Sequence, residues 1–224
     1  MSPLQLFAAG LGGLFLTIKF ALGLFTGTSM PAGLTVAQEP NRIVLRWNGS
    51  IEAPMRDKIA EALETYENDP RSIVLSLNSN GGSVQHGRDV VKVLRKASYA
   101  RAIDTMVEQG SICASMCVPI YLVGAERHAH PAARFMFHKT SLRLSADDQR
   151  RLQELSQQTG LSQAEIKRKV IEMSTDDLFE IDIGMRAVDK RWAETIRQRI
   201  QKGDVWLNGK QLVEQGSSIV DKLL

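Results

Sequence analysis

Only two cysteines and four histidines occur in this chain of 224 residues, and that scarcity removes several chemistries. Cys113 and Cys117 form one pair, and no second pair of Cys or His stands at zinc-ligand spacing, so no metal is expected. Neighbours four apart on a helix are poorly aimed for an S–S bond, so the two thiols read as small packing residues rather than a redox pair. On that reading they say little about compartment. A block of one charge sign is also missing: the whole chain has 28 Lys and Arg against 25 Asp and Glu, for a net charge of +3, and the two signs are interleaved along the C-terminal half. Such mixing describes solvated helix faces, and no nucleic-acid partner is inferred. There is no internal repeat and no low-complexity tract, which excludes a solenoid. With 43% hydrophobic and 24% charged residues, the length suits one sizeable core plus a short extension.

One long apolar run is present, at the N-terminus. Residues 3–25 are apolar apart from Gln5, Thr17 and Lys19, and about 20 such residues suffice to cross a bilayer core. Residues 1–25 therefore read as a membrane anchor or an uncleaved signal. A cleaved secretory signal fits less well, because Lys and Arg are absent from the first residues and Lys19 comes late. Lys19 must snorkel or find a partner if the segment spans. The other reading of the run is a buried N-terminal helix or an oligomer arm. Residues 26–41 hold Gly, Pro, Thr and Ser without periodicity and read as a linker, which leaves residues 42–224 as the folded domain.

Within that domain, short β-branched runs alternate with helical patterns. Strands are expected at 42–47, 73–77, 102–107 and 134–137, and helices at 53–66, 84–96 and 111–123. That alternation predicts an α/β fold with a parallel sheet and helical crossovers. From 145 to 174 the chain turns polar and helical, with a break at Thr159 and Gly160, as expected of a helical arm outside the core.

Three short stretches carry possible chemistry. The first is NSNGGSV, residues 78–84, between a buried strand and a helix. Paired glycines there let the backbone turn and present N–H groups at a helix N-terminus, suited to an oxyanion, although a plain capped turn uses the same residues. The second is SICASMC, residues 111–117, where Cys113, Ala114 and Cys117 leave steric room around Ser115. Ser115 reads either as a nucleophile near a helix start or as a small packing residue, with Ser111 the better cap. The third is RFMFHK, residues 134–139, which ends a strand on His138, a general base or a half-buried structural imidazole.

In this order and spacing the three stretches resemble the Clp protease proteolytic subunit, with its Asn-Ser-Pro-Gly-Gly turn, Ala-Ser-Met nucleophile segment and Met-x-His strand. The resemblance runs from about Ile73 to Lys139, and the C-terminal stretch from Asp204 is similar to the closing segment of bacterial signal peptide peptidases. It implies a Clp protease/crotonase-like fold and a serine peptidase that needs no cofactor. Ser115 becomes the nucleophile and His138 its base, with the N–H groups of Gly82 and Met116 as the oxyanion hole. The family's third member is an Asp after the helical arm. Here STDDLF offers Asp177 first and Asp176 second, with Asp182 close by.

Two departures shape the remaining expectations. Asn80 stands where the family has Pro, which keeps the N–H donors of the turn. The shorter arm and the N-terminal apolar run do not suit the family's large barrel or its ATPase-docking face. A smaller homo-oligomer on a membrane is expected, acting on peptide or protein substrates in an extracytoplasmic (periplasmic) setting without an ATPase partner. Three other readings compete: a catalytically silent membrane-bound binding module, an acyl-CoA enzyme of the crotonase type, and a dyad using Lys139.

Overall fold

Runs of β-branched and aliphatic residues build the centre of the molecule, a computed structural model that describes residues 33–138, 146–168 and 188–224. The strands are β1 (Gly33–Gln38), β2 (Arg42–Asn48), β3 (Ser72–Asn78), β4 (Ile103–Val107), β5 (Ile112–Ala114), β6 (Arg127–Ala129), β7 (Arg134–Phe137), β8 (Val205–Asn208) and β9 (Lys222–Leu223). The helices are α1 (Met55–Thr65), α2 (Val84–Ser98), α3 (Cys117–Tyr121), α4 (Ala146–Thr159), α5 (Lys190–Ile200) and α6 (Gly209–Glu214). Residues 1–25, the first part of the expected linker, Lys139, Asp176, Asp177 and Asp182 lie outside the described residues. Among the described residues no helix is long and apolar enough to cross a membrane.

Two sheets result. The larger has the order β1-β2-β3-β4-β6-β9 and the smaller β5-β7-β8. All pairings from β2 to β9 in the larger sheet are parallel, as the alternation of strands and helices predicted. Ile43, Leu45 and Trp47 of β2 face the main core with Ile73, Leu75 and Leu77 of β3, while Val44, Val74 and Met106 form a small cluster apart from it. This is the period-2 alternation of strands applied to nearly continuous apolar runs. Helices α1, α2 and α5 bury narrow apolar stripes in the main core, such as Val90, Val91 and Leu94 of α2.

Two expectations need correction. Part of the expected linker is strand: Gly33–Gln38 pairs antiparallel with β2, so the domain begins before Arg42. This edge strand is half-exposed, with only Leu34 and Ala37 packed against the core clusters, and is set mainly by backbone pairing through the turn where the Glu39 N–H donates to Arg42 O (2.9 Å), so it carries no clear apolar period to read. Likewise, the apolar stretch 111–123 is not one helix. It divides into β5, a turn at Ser115 and the short α3, because a run apolar on every side carries no period and pairing with β7 claims residues 112–114. The arm is helical as expected over α4 and again over residues 163–168, with Gly160 at φ +69° between them.

The C-terminus is tied down by one ion pair. Arg127, 8% exposed, donates from Nε and a terminal nitrogen to the two carboxylate oxygens of Asp221 (2.8 and 2.6 Å), and its backbone N–H donates to the same group (3.0 Å). Burial alone would push the Asp221 carboxyl up, but the Arg127 fork holds it below the ordinary carboxylate range. Solvent reaching the outer side of the Asp221 carboxylate screens the pair, so Asp221→Asn is expected to cost about 1–2 kcal/mol in chemical denaturation at neutral pH. Because the folded-state value is depressed, the contribution is complete above the ordinary carboxylate value of about 4 and fades as pH falls through the folded one, so parent and variant should converge in acid. An undiminished gap at low pH would contradict this account.

Candidate active site

The NSNGGSV turn does more than link β3 to α2. The Ser79 N–H donates to Ile112 O (2.7 Å), Ala114 N–H donates to Ser79 O (3.0 Å), and Ile112 N–H donates to the Asn78 side-chain carbonyl (3.0 Å). The end of β3 is thereby laced to β5, the strand that runs into Ser115. A parallel bridge between Ser79 and Cys113 marks the same seam. On the other side, Ser115 N–H donates to Met136 O of β7 (2.9 Å). The three stretches singled out in the sequence therefore meet through main-chain hydrogen bonds.

Ser115 sits at φ +54°, a left-handed conformation that costs a non-glycine residue about 1–2 kcal/mol. The sharp turn lifts its side chain out of the apolar segment while Ala114, Met116 and Cys117 stay buried. In β7, Phe135 and Phe137 are buried and Met136 and His138 are half-buried, so alternation puts His138 on the face whose neighbouring carbonyl holds Ser115. Phe137 is braced by Trp192 of α5 in an edge-to-face contact with ring centroids 5.4 Å apart. The outcome is that His138 Nε2 lies 2.6 Å from Ser115 Oγ. With a neutral ring carrying its proton on Nδ1, the Ser115 hydroxyl donates to Nε2, the arrangement in which an imidazole takes a proton from an attacking hydroxyl.

The glycines of the turn are needed for space. A Cβ on Gly81, at φ +93°, would lie 2.7 Å from Ser115 Cβ, and one on Gly82 would lie 2.5 Å from Ile51 O. Ile51 N–H donates to Gly81 O and Ser83 N–H donates to Ile51 O (both 2.9 Å), which leaves the Gly82 N–H between those bonds with no acceptor among the described residues. Met116 N–H, at the start of α3, likewise has none there. Both are backbone donors of the kind that binds an oxyanion. Ser83 caps α2 by accepting from His86 N–H (3.2 Å), which keeps the positive end of that helix beside the turn. A polar cleft of about 350 Å³ opens next to it, lined among others by Asn48, Asn78, Asn80 and Ile112.

The other histidines are occupied elsewhere. His86 Nε2 accepts from Arg56 N–H (3.2 Å) and His130 Nδ1 from Ala132 N–H (3.1 Å). His128, Glu126 and Asp104 lie close enough to share a cation, with ligand atoms within 4.8 Å of one another, but the Asp104 carboxylate already accepts from Glu126 N–H (3.0 Å).

Three features escaped the sequence reading. Cys113 and Cys117 form a disulfide with Cα atoms 5.1 Å apart, which corrects the expectation of two packing thiols. On one continuous helix the two side chains would be misaligned, whereas the turn at Ser115 separates a strand cysteine from a helix cysteine and brings their side chains together. Gly87, inside α2, makes room for Met116: a Cβ there would lie 2.3 Å from Met116 Cγ. An isolated glycine in a helical pattern was the available signal. The Trp192 brace came from a part of the chain whose role only packing reveals.

Gly87→Ala is accordingly expected to lose about 1–3 kcal/mol of stability through overpacking, despite the better helix propensity of alanine. Thermal unfolding reads the loss. A variant as stable as the parent would mean that Met116 moves aside freely and that Gly87 does not position it.

The Clp protease family profile matches residues 39–223. No curated protein matches the chain. Among solved structures the chain is similar to a point mutant of ClpP1 from Listeria monocytogenes, at 18% identity and a TM-score of 0.58 over 81% of this chain and 90% of that one. At that identity the likeness speaks for the fold alone, and it agrees with the α/β architecture of parallel strands and helical crossovers described above. The profile extends from the first turn of the large sheet to its last strand, and on that evidence this chain belongs to the Clp protease family.

Proposed function

We propose that the protein is a serine peptidase in which Ser115 attacks a peptide carbonyl and His138 takes its proton. Membership of the Clp protease family supports a peptidase. The single observation that carries the finer reading is the 2.6 Å contact between Ser115 Oγ and His138 Nε2 at a left-handed turn flanked by backbone donors.

In this mechanism the Ser115 oxygen bonds to the carbonyl carbon as its proton passes to His138 Nε2. The carbonyl oxygen, now negative, is held by the N–H groups of Gly82 and Met116. His138 returns the proton to the leaving amine, an acyl-enzyme forms on Ser115, and water activated by the same imidazole releases it. Asp177, or Asp176 next to it, orients the imidazole from the segment after the arm. No cofactor takes part and no ATPase partner is invoked, and the enzyme acts on peptides as a small homo-oligomer.

The Cys113–Cys117 disulfide supports placing the domain in an oxidising, extracytoplasmic compartment, with residues 1–25 as its anchor. Protease added to the extracytoplasmic side should digest the domain in intact membranes, and protection would contradict that placement.

A fluorophosphonate probe should label the folded protein, and Ser115→Ala and His138→Ala should each lower labelling and peptide hydrolysis by about 10³-fold or more. A folded parent that never labels would sink the peptidase reading. Asp177→Asn should lower turnover by more than about 100-fold while Asp176→Asn does not; the reverse result would exchange their roles.

A further inference from the structure

The proposed reaction makes no use of the one covalent crosslink in the described residues, yet that crosslink closes a ring of five residues with Ser115 at its centre. We propose that the Cys113–Cys117 disulfide is a positioning element of the active site, a staple that holds Ser115 in its left-handed turn against His138, so that full reactivity belongs to the oxidised form. The inference rests on Ser115 being the nucleophile.

The two sides of the turn are anchored unequally. On the strand side, Cys113 pairs with Phe135, Ala114 N–H donates to Ser79 O, and Ser115 N–H donates to Met136 O. On the helix side, the main-chain bond that reaches back to the turn is local, from Val118 N–H to Ser115 O (2.9 Å). The helix that follows has five residues, too few to keep its own register without support. The disulfide ties the first residue of that helix to the sheet-bound strand. It therefore opposes relaxation of Ser115 to an ordinary backbone conformation, which would swing Oγ away from Nε2.

Both cysteines are fully buried, so solution thiols reach the bond only when the turn opens. The staple is set during folding: two thiols lose two protons and two electrons to an external disulfide, which becomes a dithiol as the Sγ–Sγ bond forms.

The test uses the full chain, the Cys113→Ala/Cys117→Ala double variant, and parent reduced by dithiothreitol in mild urea, returned to buffer and then reoxidised with glutathione disulfide. Loss of the staple should slow fluorophosphonate labelling about tenfold at every pH, leaving the midpoint of the pH profile in place, and reoxidation of the parent should restore the rate. If the double variant does not fold, the reduced parent supplies the comparison. Labelling at the parental rate without the disulfide would overturn the proposal, as would alkylation showing two free thiols in protein folded under oxidising conditions. Crystal structures of parent and double variant decide the matter even if the parent never labels, an outcome that would remove the peptidase reading by itself. Ser115 kept at positive φ and in contact with His138 without the staple would overturn the inference; a turn relaxed away from His138 would support it.

Discussion

Everything in the candidate site depends on one backbone conformation, the left-handed turn of Ser115 between β5 and α3. A serine does not adopt it unaided, since Cβ crowds the following carbonyl. The surrounding structure over-determines it. Ser79 at the end of β3 takes the Ala114 N–H, Met136 in β7 takes the Ser115 N–H, and Gly81 withdraws its bulk from the side where a Cβ would strike Ser115. Strain at this point lifts a hydroxyl out of a buried apolar segment, which no relaxed helix or strand would do.

The larger architecture serves that turn. Parallel strands end together at one side of the sheet, and the main-chain groups freed there are available to loops. The turn after β3 uses them to bind β5, so the second sheet is joined to the first at the place where the serine is presented. His138 arrives by a separate route, at the end of β7, whose alternating aromatics lock into the core against Tyr121 and Trp192. Two side chains 23 positions apart in sequence thus meet in one hydrogen bond, brought together by separate elements of the fold.

Burial around the site has its own consequences. Small residues beside Ser115 allow α3 to pack closely, and the missing side chain of Gly87 lets Met116 sit beneath α2. The same tightness that fixes the Met116 N–H makes the turn intolerant of added volume. At the far end, Arg127 and Asp221 close the sheet by electrostatics where the strands are too short to hold by pairing alone.

Much of this was legible in the chain itself. The strands at 73–77, 102–107 and 134–137 and the helix from 84 could be read because apolar period and turn residues agree there, and the NSNGGSV, CASM and FHK stretches marked the site because their order matches a family pattern. What the sequence could not show was anything lacking a period of its own. Edge strand β1 is held chiefly by pairing with its partner and buries only part of one face, and the mostly apolar 111–123 stretch gave no sign that it would break at Ser115. The disulfide followed from that break, since cysteines four apart are misaligned on a helix and opposed across a turn. Local composition determined the central strands, the helices beside them and the turn after β3; only the tertiary structure decided the edge strand and the backbone reversal at Ser115, the latter because its cost is met by hydrogen bonds to residues distant in the chain.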